Sequence, residues 1–239
     1  MKQITKLFQY GTLGALMTGL YDGTMTIGEL LEHGDIGIGT LDQIDGELIV
    51  LDGKAYQAKS TDGRLEVLEV SSEMKVPYAA VVPHRASHSF TQNQVISDND
   101  LQAKIETYFE GKNLFKSFKM HGNFQKMHVR MIPTAKTGES FVTVAANQPE
   151  HTAENVSGTI VGIWTPDLFH GIGVAGYHLH FLSDDHSFGG HIMDYVMTNG
   201  RIEIGDIDQL DQRFPVSDEK YLKSDFNLDQ MRSDITAAE

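Results

Sequence analysis

The chain of 239 residues carries 33 acidic against 19 basic side chains, a formal charge of −14, with 40% hydrophobic residues and no cysteine. This is the composition of a folded globular protein. It excludes disulfides, thiolate catalysis and cysteine-bound metals, and it argues against nucleic acid as a partner, because phosphates are held by clustered Lys and Arg. No apolar run approaches the roughly 18 residues that a membrane span requires, so no membrane partner is expected.

The first twenty residues, MKQITKLFQYGTLGALMTGL, contain two lysines, but Gln9, Thr12 and Thr18 and the glycines at 11, 14 and 19 break up the apolar stretch behind them. A secretory leader needs a continuous apolar stretch, so this segment reads as part of the folded protein and the expected location is cytoplasmic. Thr26–His33 (TIGELLEH) predicts a helix with Thr26 as N-cap and Glu29 at the capping-box position. Ser97–Tyr108 predicts a second, with an acidic first turn and apolar Leu101, Ile105 and Tyr108 on one face.

Strand-like runs are Glu47–Leu51, Leu65–Val70, Tyr78–Val82, His128–Ile132, Gly158–Ile163, Gly176–Leu182 and Ile192–Met197. The pairs DG at 45–46, 52–53 and 62–63, HGN at 121–123 and NG at 199–200 read as turns, which favours antiparallel hairpins. Strands dominate with a few helices, so the fold class is α+β: two sheet-rich halves, residues 1–150 mixed and residues 151–239 β-rich. The polar stretch from about Pro133 to Asn155 reads as the connection between them. Ser217–Glu239 reads as a polar tail.

The segment GYHLHFLSDDHSFGGH, residues 176–191, is the most informative. Residues i and i+2 of a strand share a face, so His178 and His180 project side by side while Leu179 and Phe181 face the other way. A hairpin through Asp184 and Asp185 would return His191 to the same neighbourhood. Three imidazoles with open positions make a catalytic metal site on strands of the C-terminal half, and an all-histidine set suits Zn²⁺. His186 falls in the turn. His84 and His88 lie on a loop, and His121 and His128 flank a turn, so these read as structural.

Glu47 follows a turn at the start of an apolar strand. There it is either a buried general acid or base, or a strand-edge carboxylate facing water. Arg130 alternates with Val129 and Met131 and either caps a sheet edge or holds a substrate carboxylate with its planar fork. Two other readings of the histidines compete. Cupin-like Fe or Mn oxygenases and isomerases also use H-x-H, but a glutamate normally follows it closely, and here FLSDDHS follows. A non-catalytic β-rich binding protein braced by its metal would use the same ligands.

GTLGALMTGLYDG, GTLDQIDGELIVLDGKAYQ, GTIVGIWTP and GYHLHFLSDDHSFGGH together resemble the α-acetolactate decarboxylase family in order and spacing, from about residue 8 to the C-terminus. The resemblance implies a two-domain α/β fold, a homodimer, and zinc held by His178, His180 and His191. It implies decarboxylation of a small anionic substrate, (S)-2-acetolactate, to acetoin and CO₂, as in acetoin and butanediol formation. It places Glu47 of the DGEL motif in the site as proton donor and Arg130 of HVRMIP as the group that orients the substrate. A second glutamate, matching Glu239 in ITAAE, would assist from the tail.

Overall fold

The computed structural model describes residues 4–226. In chain order the elements are β1 (Lys6–Tyr10), α1 (Leu13–Met17), β2 (Met25–Thr26), α2 (Ile27–Leu31), β3 (Ile36–Thr40), β4 (Glu47–Leu51), β5 (Lys54–Thr61) and β6 (Arg64–Glu69). Next come β7 (Lys75–Val76), β8 (Tyr78–Val82), β9 (His88–Gln92), β10 (Ile96–Ser97), α3 (Asp98–Glu106), β11 (Lys116–Arg130) and α4 (Phe141–Ala145). The last are β12 (Glu150–Thr165), β13 (Gly176–Ser183), β14 (Gly189–Asp206), β15 (Gln209–Arg213) and α5 (Glu219–Lys223).

Two large sheets dominate. The first runs β15-β1-β8-β3-β4-β5-β6, antiparallel throughout except that β15 lies parallel to β1. The second runs β10-β14-β11-β12-β13, with β9 also on β14. The first residues of β14 additionally pair with the middle of β13, so β11, β12, β13 and β14 close into a ring at that end. Closure removes strand edges where the histidine-bearing strands lie.

Period-two alternation assigns the faces of the first sheet. Leu48 and Val50 of β4 pack with Ile27 and Leu30 of α2 on the outer face, whereas Ile49 joins Phe118, Met120, Phe124 and Phe181 in the core between the sheets. Side chains of this size contribute about 1.5–3 kcal/mol each when fully buried. Glu47 has the parity of Ile49, so the same alternation aims it at the second sheet.

The two helices expected from the sequence follow from their caps. Thr26 and Glu29 form a reciprocal capping box at the start of α2, and the Ser97 side chain accepts from the Asp100 amide at the start of α3. At the DG pairs, Asp52 and Asp62 have φ of 51° and their glycines 76°, the left-handed pair that a two-residue hairpin turn demands.

HGN and NG are not turns. Gly122 lies inside the 15-residue β11 and Asn199–Gly200 inside the 18-residue β14, paired with each other and with Gly158 of β12. These glycines permit close strand approach. A Cβ on Gly122 would stand 2.2 Å from the Asn199 carbonyl oxygen and 2.7 Å from Gly200 Cα. The polar stretch after Pro133 holds α4 and the first residues of β12.

Candidate active site

β13 delivers His178 and His180 from one face, and the ladder sets His191 of β14 directly opposite His180. One ring nitrogen from each of the three comes within 4.8 Å of the others. On the opposite face of β13, Phe181 packs edge-on against Phe124 at 5.3 Å, which fixes the strand's rotation.

The imidazoles are prepared as neutral donors. His180 Nδ1 lies 2.8 Å from the Leu48 carbonyl, which accepts its proton and leaves Nε2 with a lone pair. That Nε2 and His178 Nδ1 are buried without a hydrogen-bond partner. Burial pushes His180 down to about 4 against the opposing effect of the Leu48 bond, with the Arg130 charge adding to the depression. Burial, the neighbouring imidazoles and Arg130 hold His178 and His191 well below the usual histidine range. Orphaned lone pairs on clustered, uncharged imidazoles are the arrangement a divalent ion satisfies, so the donor set fits a metal.

Glu47 and Arg130 reach the same place from different sheets. Glu47 is 7% exposed, so it is a buried carboxylate and does not face water. Its Oε1 accepts from the Ile132 amide at 2.9 Å, and Oε2 lies 3.4 Å from His180 Nε2. Arg130 ends β11 opposite His191, with its guanidinium 3.4 Å from His191 Nε2. Of the two alternatives open for Arg130, it reaches into the cleft.

Glu47, Arg130, His178 and His191 line one cavity. Its other walls are Leu13 and Leu16 of α1, Ile44, Ile132, and Phe141 of α4, with Thr40, Tyr78 and Gln148 as further polar groups. The apolar wall is itself packed: Leu13, Leu16, Ile44, Ile132 and Phe141 share a small core with Met17, Tyr21 and Val144. One side of the cavity thus carries the imidazoles with Glu47 and Arg130, and the other is apolar and packed, as a small-molecule site requires. Sequence reasoning from the residues alone did not reach Tyr78, Gln148 or the α1–α4 wall. They come from separated segments, and none carries a local pattern.

Four further histidines do other work. His84 Nδ1 bonds Ser117 Oγ at 2.9 Å, His121 pairs with Asp184 at 3.2 Å, and His128 bridges Asp194 at 2.9 Å and Glu150 at 3.1 Å. His186 sits in the β13–β14 turn with φ 55°. Glu239 lies outside the described residues.

Residues 7–228 match the family model for alpha-acetolactate decarboxylase. Over all 239 residues of both chains, the sequence is 63% identical to an alpha-acetolactate decarboxylase of Streptococcus thermophilus. It is 62% identical, again over the full length of both, to that of Lactococcus lactis subsp. cremoris. The crystal structure of alpha-acetolactate decarboxylase from Bacillus subtilis strain 168 superposes with a TM-score of 0.92 at 29% identity, covering 98% of this chain and 99% of that one.

Proposed function

This chain belongs to the alpha-acetolactate decarboxylase family, and on that premise we propose that it decarboxylates (S)-2-acetolactate to acetoin at a Zn²⁺ ion held by His178, His180 and His191. The observation that carries the metal-dependent reading is the convergence of three neutral imidazoles, two with orphaned nitrogens, of which His178 and His191 line the cavity shared with Glu47 and Arg130. When bound, the ion would supply Lewis-acid stabilisation of negative charge developing on substrate oxygen.

The substrate is a β-keto acid with its own electron sink. The bond to the carboxylate breaks, CO₂ leaves, and the electron pair passes into the neighbouring ketone. A proton must then return to carbon. Arg130 would orient the substrate carboxylate and support the anionic transition state with its fork. Glu47, fixed by the Ile132 amide, would deliver that proton from one side, giving one enantiomer. The apolar wall of Leu13, Leu16 and Phe141 would exclude water and seat the methyl groups. Glu239 would assist proton transfer from the tail, and deleting it tests this directly.

The reading extends to a homodimer in the cytoplasm. The family resemblance supports the first. Light scattering and cell fractionation measure these. The primary test is acetoin formation from racemic 2-acetolactate by purified protein, before chelation, after it, and after zinc is restored. Activity that vanishes and returns supports the proposal. No acetoin from folded, zinc-loaded protein rejects it. Loss of fold on chelation would favour a metal that braces the structure instead.

A further inference from the structure

The loop that precedes Glu47 is strained. Gln43 and Ile44 have φ of 59° and 51°, and Gly46 has 74°. Ile44 is β-branched and fully buried in the cavity wall, so a left-handed backbone there is an outlier that persists only when its surroundings over-determine it.

Those surroundings are the exit of β11. Gly46 N donates to Ile132 O at 3.1 Å, Ile132 N donates to Glu47 Oε1 at 2.9 Å, and Ala135 N donates to Gln43 O at 3.0 Å. A side-chain link joins the two segments as well: Thr134 Oγ1 donates to Asp45 Oδ1 at 2.5 Å. The other oxygen of Asp45 accepts from Gln57 Nε2 at 2.8 Å, and the same Nε2 reaches the Asp45 carbonyl at 2.6 Å. Lys59 Nζ lies 3.7 Å away. Asp45 therefore ties its own strained loop to β5 on one side and, through Thr134, to the segment leaving β11 on the other.

We propose that Asp45, through Thr134 and Gln57, is a positioning residue that holds the Glu47 carboxylate on the Ile132 amide and in register with Arg130. Glu47 belongs to the first sheet, while Arg130 and the histidines belong to the second. A site assembled across two sheets needs a part that fixes their offset, and a misplacement of about 1 Å can cost about 10²-fold in rate. Asp45 and Thr134 do not line the cavity, so they act through Glu47 and do not touch substrate. This inference rests on the reading of Glu47 as proton donor.

The test uses the zinc-loaded full chain with Asp45→Ala, Thr134→Val, Asp45→Asn and Thr134→Ser. Asp45→Ala and Thr134→Val should lower kcat by about 10- to 100-fold. KM should move by less than about 3-fold and metal content should not change, because the substrate-orienting and metal-binding groups stay in place. Thr134→Ser restores the hydroxyl donor and should return turnover to near the wild-type rate. Asp45→Asn keeps the acceptor for Thr134 and should recover part of it. Amide hydrogen exchange at Ile132, read in the same variants, should quicken by at least about 10-fold in Asp45→Ala. Retained Ile132 protection overturns the proposal, as does a loss of kcat that Thr134→Ser does not rescue. Glu47→Gln measured in parallel separates the two readings. If it turns over normally while Asp45→Ala loses Ile132 protection, the donor assignment fails and the clamp stands. If Glu47→Gln is slow while Asp45→Ala is normal in rate and protection, the clamp fails and the donor stands.

Discussion

His180 and His191 face each other across adjacent antiparallel strands, their ring centroids 5.4 Å apart, with His178 5.0 Å from His191. The ladder, and no flexible loop, sets that spacing, so the ligand geometry is built into backbone hydrogen bonding before any ion arrives. His180→Ala should lower metal affinity by at least about 10²-fold and abolish acetoin formation. Metal analysis after dialysis, with far-UV circular dichroism to confirm the fold, checks both.

Replacing Glu47 with Gln keeps an oxygen that can accept from the Ile132 amide but removes the acidic proton. Turnover should fall by about 10²- to 10⁴-fold with metal content unchanged, the range expected for loss of a general acid. The product's enantiomeric excess, measured by chiral chromatography, should fall as water delivers the residual proton.

Arg130→Lys keeps the charge and loses the planar fork, and its shorter reach opens the 3.4 Å approach to His191. kcat/KM should drop by about 10- to 100-fold, with Arg130→Ala lower still, since bidentate recognition of carboxylate is not shared by an ammonium. Steady-state kinetics on both variants at one pH are sufficient.

Acid should destabilise the metal-free protein. The folded-state pKa of His180 lies at about 4 against an ordinary 6.5, and His178 and His191 are depressed in the same direction. A depressed histidine is neutral in the fold and gains a proton on unfolding, so its contribution is fully present above pH 6.5 and is lost as pH falls towards 4. Urea unfolding of chelated protein between those pH values should show falling stability. A His180→Phe variant should flatten the profile, and zinc-loaded protein should lose its ion over the same window, because protons compete for the same nitrogens.

Gly122→Ala tests the close strand approach. Its Cβ would meet the Asn199 carbonyl at 2.2 Å, so strands β11 and β14 must separate. A cost of about 1–3 kcal/mol is expected, which for a chain of this size lowers Tm by about 2–4 °C per kcal/mol. Differential scanning calorimetry reads it. Gly53→Ala meets no atom within 4 Å, and its cost should come from φ of 76° alone.

Local chemistry was legible in the sequence where one segment supplied all of it. The H-x-H of β13, the hairpin back to His191, the Thr26 capping box and the DG turns at 52–53 and 62–63 each depend on residues within one short window, and each stands where the sequence placed it. The burial of Glu47 was not legible, because it depends on the second sheet covering β4. HGN and NG misread as turns for a related reason. Glycine beside asparagine suits a turn and also suits crowded strands, and only the partner strand decides between them. The strained Gln43–Ile44 backbone gave no composition signal, since neither residue prefers the left-handed region. Fold and family agree with the sequence reading as a sheet-rich α+β chain of the alpha-acetolactate decarboxylase family.

The parallel pairing of β1 with β15 sets Lys6 beside Gln209. On a ribosome adding about 5–20 residues per second, the outer edge of β1 therefore waits on the order of ten seconds or longer for its neighbour to be made. During that interval its backbone donors and acceptors form an open template for other nascent chains. Productive synthesis should accordingly be sensitive to temperature and expression rate. Slower translation should lengthen the vulnerable interval, and holdase chaperones that shield strand edges should raise the yield of active enzyme more than they raise that of a fold whose first strand pairs locally.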